Sequence, residues 1–105
     1  MICTSIEQSK RLIELGIDRK TSDMYYWCGS DLRIGGYRAQ DEELDIPAWS
    51  LSALLDILPK GKVLIDDLHS NKYKVIGYNL DTDYYDEPLD ACYQMILKLK
   101  ENNKI

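Results

Sequence analysis

The sequence predicts an α+β fold: a small antiparallel sheet of three to four strands covered by about three helices, in the order α-ββ-α-ββ-α. Three observations carry this expectation. Leu51, Leu54, Leu55 and Leu58 recur at i, i+3, i+4 and i+7, the spacing of one buried helical stripe. Short segments rich in aromatic or β-branched residues, 24–28 and 73–80, are flanked by turn residues and read as strands. The chain has 105 residues, 45% hydrophobic and 30% charged, which suits one domain spanning residues 1–105 and is far from a disordered composition.

The first helix is expected over residues 5–15. Thr4 with Glu7, or Ser5 with Gln8, has the spacing of a capping box, Ile6, Leu12, Ile13 and Leu15 fall near one side, and Gly16 suits a left-handed stop. A strand at 24–28 follows, then a turn at Gly29, Ser30 and Asp31, and a second short strand around 32–34 that Gly35 and Gly36 would end. Residues 38–45 are polar and acidic, and read as a loop. Asp45, Ile46 and Pro47 read as the start of the second helix, since proline is well placed in a first turn, and Pro59 ends it. Residues 62–68 and 73–80 form a predicted hairpin around His69, Ser70, Asn71 and Lys72, with Lys74, Ile76, Tyr78 and Leu80 sharing one face. The third helix is expected from Pro88 to about Glu101. Leu89, Cys92 or Tyr93, Ile96 and Leu99 form its apolar stripe, with Asp90 early and Lys98 and Lys100 late, as the helix dipole favours.

Charge narrows the functional classes. The net charge is -5, and two stretches, 39–59 and 75–97, contain five acids each and no lysine or arginine, which leaves +5 on the remainder. An acidic chain has little with which to neutralise phosphates, so no nucleic-acid partner is expected. No apolar run reaches the ~18 residues of a membrane span, so no membrane role is expected either. The opening residues show no basic segment leading into an apolar one, and Cys3, Cys28 and Cys92 are odd in number and widely spaced. They read as reduced thiols of a cytoplasmic protein.

No set of residues assembles a catalytic site in the sequence, and no metal or cofactor is expected. His69 is the only histidine, in a predicted turn near Asp66, Asp67 and Ser70, and reads as an exposed turn residue. An enzyme pairing His69 with a nearby carboxylate or thiol stays open as the alternative, although Cys92 on an apolar stripe reads as a buried, inert thiol. The acidic run holding Asp81, Asp83 and Asp86 resembles a calcium loop only superficially. The fifth, sixth and twelfth positions, which should be an oxygen ligand, glycine and glutamate, are Tyr85, Asp86 and Cys92. These acids remain weak polar candidates.

The aromatic set is eight tyrosines, two tryptophans and no phenylalanine, a choice that covers apolar area while tolerating water. In an extended strand Tyr25 and Trp27 share one face, opposite Met24, Tyr26 and Cys28, so Tyr25 and Trp27 are candidate contact residues, with Trp49 a weaker third. Several segments together, CTSIEQSK at 3–10, TSDMYY at 21–26, IPAWSLSALLDILP at 46–59 and EPLDA at 87–91, resemble a family of short uncharacterised proteins encoded in phages, prophages and mobile elements of gut bacteria of the Bacteroides type. The resemblance implies a small accessory protein and assigns no activity to any residue. The leading expectation is a non-catalytic interaction module that binds a protein partner or a second copy of itself. A further alternative is an acidic decoy of nucleic acid.

Overall fold

A computed structural model describes residues 2–28, 30–34, 45–58, 63–67, 72–77 and 80–102. The expected loop over 38–44, the Gly35–Gly36 pair and the turn containing His69 lie outside the described residues. Within them, the chain forms α1 (Ile6–Glu14), a single 3-10 turn (Arg19–Thr21), β1 (Met24–Trp27), β2 (Asp31–Ile34), β3 (Ile46–Ala48), α2 (Leu51–Ile57), β4 (Val63–Asp67), β5 (Lys72–Gly77), β6 (Leu80–Asp81) and α3 (Pro88–Glu101). The α+β class is as expected, and the order follows the expectation with two strands added: β3 precedes α2, and the strand expected over 73–80 ends at Gly77, with Leu80 in β6 pairing back on β5. The strands, all antiparallel, divide into two three-stranded sheets, β2-β1-β3 and β4-β5-β6.

Local chemistry accounts for the ends of α1. Ser5 Oγ accepts from the Gln8 N–H at 3.1 Å, and Gln8 Oε1 accepts from the Ser5 N–H at 2.9 Å, so the capping box is Ser5 with Gln8. At the other end Gly16 has φ +90°, its N–H donates to the Ile13 carbonyl at 3.0 Å, and the Ile17 N–H donates to the Leu12 carbonyl at 3.0 Å. This is a Schellman stop, and the buried side chains of Leu12 and Ile17 belong to the same apolar cluster.

The second helix starts later than the sequence suggests. Ile46, Pro47 and Ala48 are a strand paired with β1, and Pro47 sits on a sheet edge, where its missing N–H removes no bond needed by β1. The N-cap is Ser50, whose Oγ accepts from the Ala53 N–H at 3.3 Å. Asp23, distant in sequence, fixes Ser50 in that role by accepting from its N–H at 2.9 Å and from its hydroxyl. The leucine stripe is also rotated from expectation: Leu54 and Leu58 are buried and Leu51 half-buried, while Leu55 points outward at 41% exposure.

α3 is the centre of the main core. Leu89, Ala91, Cys92, Tyr93, Met95, Ile96 and Leu99 are all buried, a wider apolar face than the expected stripe. The helix packs on α2 and on β5, from which Val75 points inward. The face of β5 that holds Lys74 and Ile76 is therefore the outer one. The segment after β6 is bound along β5: the Val75 N–H donates to Thr82 Oγ1 at 3.0 Å, the Thr82 N–H donates to the Val75 carbonyl at 3.0 Å, and Tyr73 and Tyr85 exchange backbone bonds at 2.7 Å. Gln8 Nε2 donates to Asp90 Oδ1 at 3.0 Å and ties α1 to the first turn of α3.

Candidate functional site: the β1–β2 hairpin

Three of the residues expected to make contacts lie on the first sheet or beside it, and the structure separates them. Trp49, just after β3, is wholly buried in the main core. Its ring N–H donates to Thr21 Oγ1 at 2.9 Å, its backbone N–H donates to Thr4 Oγ1 at 3.1 Å, and its carbonyl accepts from the Thr4 N–H at 2.9 Å. Trp49 is therefore a structural residue, and the expectation that it forms part of a contact surface is corrected by its burial. Buried tryptophan needs a partner for its N–H, and Thr21 supplies it.

Tyr25 and Trp27 do share a face, as the alternation predicts. Across the hairpin Tyr25 stands opposite Arg33 and Trp27 opposite Asp31, so all four side chains project to the same side. The Arg33 guanidinium lies 4.9 Å from the centre of the Trp27 ring and 3.5 Å from Asp31 Oδ2. Tyr25 is half-buried, and Trp27 is 47% exposed. A cation over an exposed indole adds about 0.5–1 kcal/mol.

The opposite face is covered at one end only. Met24 and Ala48 pack with Cys3 and Tyr26 in a small separate cluster, where the Tyr26 hydroxyl donates to the Thr4 carbonyl at 2.8 Å. Burial, followed by the contact with Cys3 Sγ at 3.7 Å, pushes the Tyr26 phenol up to about 12. Leu32 and Ile34 continue this face beyond the cluster, and Ile34 is 87% exposed. All four residues of β2 are exposed, and among the described residues no strand pairs with its outer edge.

The turn joining the two strands is held from outside. Cys28 has φ +51°, a left-handed conformation unusual for a side chain of this kind, and lies beyond the strand. The Ser30 N–H donates to the Trp27 carbonyl at 3.2 Å, and the Cys28 N–H donates to Asp45 Oδ1 at 3.1 Å. Asp45 was expected in a polar loop, yet it is buried, because its carboxylate braces this turn.

The remaining polar candidates are not gathered into one place. His69 lies outside the described residues, and Asp81 is placed by its backbone at the end of β6. Asp83 is exposed, and Asp86 is exposed in an ion pair with Lys72 at 3.6 Å. Among the described residues no three His, Cys, Asp or Glu side chains are grouped as a metal would need. Cys92 is buried in the main core, and burial pushes its thiol from 9.0 up to about 11, so it holds its proton at neutral pH. No described helix is long and apolar enough to cross a membrane.

Sequence reasoning reached Trp27 through its aromatic bias and missed Leu32, Arg33 and Ile34. Their signal was the alternation of Asp31, Leu32, Arg33 and Ile34, which identifies a strand without saying that nothing packs on its outer side. No family model matches the chain, and no curated protein or solved structure matches it.

Proposed function

We propose that this protein is a non-catalytic, cytoplasmic interaction module, an accessory protein of a phage or mobile element as the sequence resemblance implies, and that it binds protein through the β1–β2 hairpin. One observation carries this reading. Trp27 stands half in solvent under the Arg33 guanidinium on one face of the hairpin, the almost fully exposed Ile34 lies on the other face, and among the described residues no strand pairs with the outer edge of β2. Exposed tryptophan and arginine are the residue types that most often dominate the free energy of protein contacts. The acidic surface supports the decoy reading less well, since Asp45 and Asp90 are engaged in hydrogen bonds that shape the fold.

The test is capture from nuclease-treated lysate of the native host, comparing wild type with Trp27→Ala and scoring both foreign proteins and untagged copies of the chain. The expected result is a stoichiometric protein that wild type retains at moderate salt and Trp27→Ala loses. A folded Trp27→Ala that retains every captured protein would falsify the hairpin as the binding face.

A further inference from the structure

We infer that the partner of this hairpin is a second copy of the chain, joined edge to edge through β2 in one antiparallel register. The inference rests on the interaction-module reading and adds to it the identity of the partner and the geometry of the contact.

An open strand edge is a template for another strand, and proteins usually protect it with charges of one sign, proline or a bulge. β2 has neither proline nor a run of one charge. Its four residues are Asp31, Leu32, Arg33 and Ile34, all exposed, with one acid and one base two positions apart on the same face. That spacing is self-complementary about Leu32. When two copies of β2 run antiparallel with the two-fold axis at Leu32, Asp31 of each copy stands opposite Arg33 of the other, and Leu32 stands opposite Leu32. An axis at Arg33 would instead place two guanidinium groups opposite each other, and an axis between Leu32 and Arg33 is excluded because directly opposed residues share a face and these two do not. Only the first register pairs every charge, and opposite charges directly across a strand pair stabilise it while like charges oppose it.

The hairpin register extends the match across the seam. Trp27 lies opposite Asp31, and Tyr25 opposite Arg33, within one copy. The row on that face of the joined sheet therefore reads Trp27, Asp31, then Arg33 and Tyr25 of the second copy, repeated in reverse beside it. On the other face the row reads Tyr26, Leu32, Leu32 and Tyr26. The product is a six-stranded sheet in the order β3-β1-β2-β2-β1-β3, closed by a two-fold axis so that no further copy can add at that edge. At the far edges the Thr4–Trp49 backbone bond already occupies the chain just beyond β3. A four-residue edge buries less than the ~1,200 Å² typical of a stable interface, so the contact is a concentration-dependent equilibrium.

The test is sedimentation of the purified protein over a concentration series reaching about 1 mM, a range suited to weak pairing of this kind. Wild type, Asp31→Arg, Arg33→Asp, an equimolar mixture of those two variants, and the double variant Asp31→Arg/Arg33→Asp are compared. All substituted side chains are exposed, and far-UV circular dichroism verifies that each variant folds. Wild type is expected to dimerise, each single variant to weaken dimerisation about tenfold by facing like charges, and both the mixture and the double variant to restore it. Single variants that dimerise like wild type, or a mixture that fails to pair, would overturn the register. A wild type that stays monomeric to the highest concentration, while still capturing a different protein through Trp27, would overturn the second-copy assignment and leave the interaction reading standing. A monomer that captures nothing through Trp27 removes both.

Discussion

The two sheets of this protein are the same size and are used in opposite ways. β4-β5-β6 lies under α3, and its Val75 is part of a core with Trp49, Leu54, Leu89, Met95, Ile96 and Leu99, all of them sealed from water. β2-β1-β3 has a cluster of only Cys3, Met24 and Ala48 with Tyr26 against it, and its outer strand is exposed at every residue. The contrast teaches where stability and contact are separated. Burial scales with apolar area removed from water, so the core packed around α3 contributes more to stability than the small cluster on the first sheet. The hairpin contributes less to that total and leaves Trp27, Leu32 and Ile34 open to solvent.

The largest effect that should sharpen this contrast is at Trp49, which joins the two regions. Trp49→Ala removes a fully buried ring and leaves Thr21 without its indole donor, while the backbone bonds to Thr4 remain, and is expected to cost about 3–5 kcal/mol in urea unfolding. A loss below ~1 kcal/mol would mean the ring is not the link described.

Next comes an alkaline dependence that belongs to the α3 side. The Cys92 thiol sits at about 11 in the folded protein against 9.0 ordinarily, so the folded state holds its proton more tightly. Stability from this group is fully present below pH 9 and is lost as pH rises towards 11, by up to about 2–3 kcal/mol. Cys92→Ala should flatten the unfolding free energy between pH 9 and 10, below the range where Tyr26 begins to add a slope of the same sign. An unchanged slope in that variant would assign the dependence elsewhere.

The smallest effect is expected on the hairpin. Ile34→Ser, at an 87% exposed position, should change the stability of dilute protein by less than about 0.5 kcal/mol. Thermal unfolding at low concentration measures it, and a loss comparable with that of Trp49→Ala would show that β2 is covered and make the two sheets alike.

Much of the architecture was legible because its signals are local. Gly16 after the first helix and Pro88 opening the last act within a few residues of where they stand, as does the capping box, which the sequence leaves between Thr4 with Glu7 and Ser5 with Gln8 and the structure places at Ser5 with Gln8. The start of α2 was misread because its deciding contact is tertiary. Asp23 holds Ser50 as the cap, and nothing near Pro47 in sequence reports that. Asp45 was missed as a brace for the same reason, since its partner is the N–H of Cys28. For the hairpin, alternation revealed which side chains share a face, and Trp27 followed from it. That Trp49 is hidden and Ile34 bare depends on how the helices distribute themselves over two sheets, which composition and periodicity do not encode.

The position of α3 also gives the chain a direction in time. Synthesis delivers Trp49, Leu54 and Val75 long before Leu89, Ile96 and Leu99, the residues that shut water away from them. The sticky hairpin therefore meets the cell ahead of the helix that completes the core. A nascent chain emerges with both its contact strand and its unfinished interior exposed. Because α3 is made last, the interior closes only after every strand of both sheets has been synthesised.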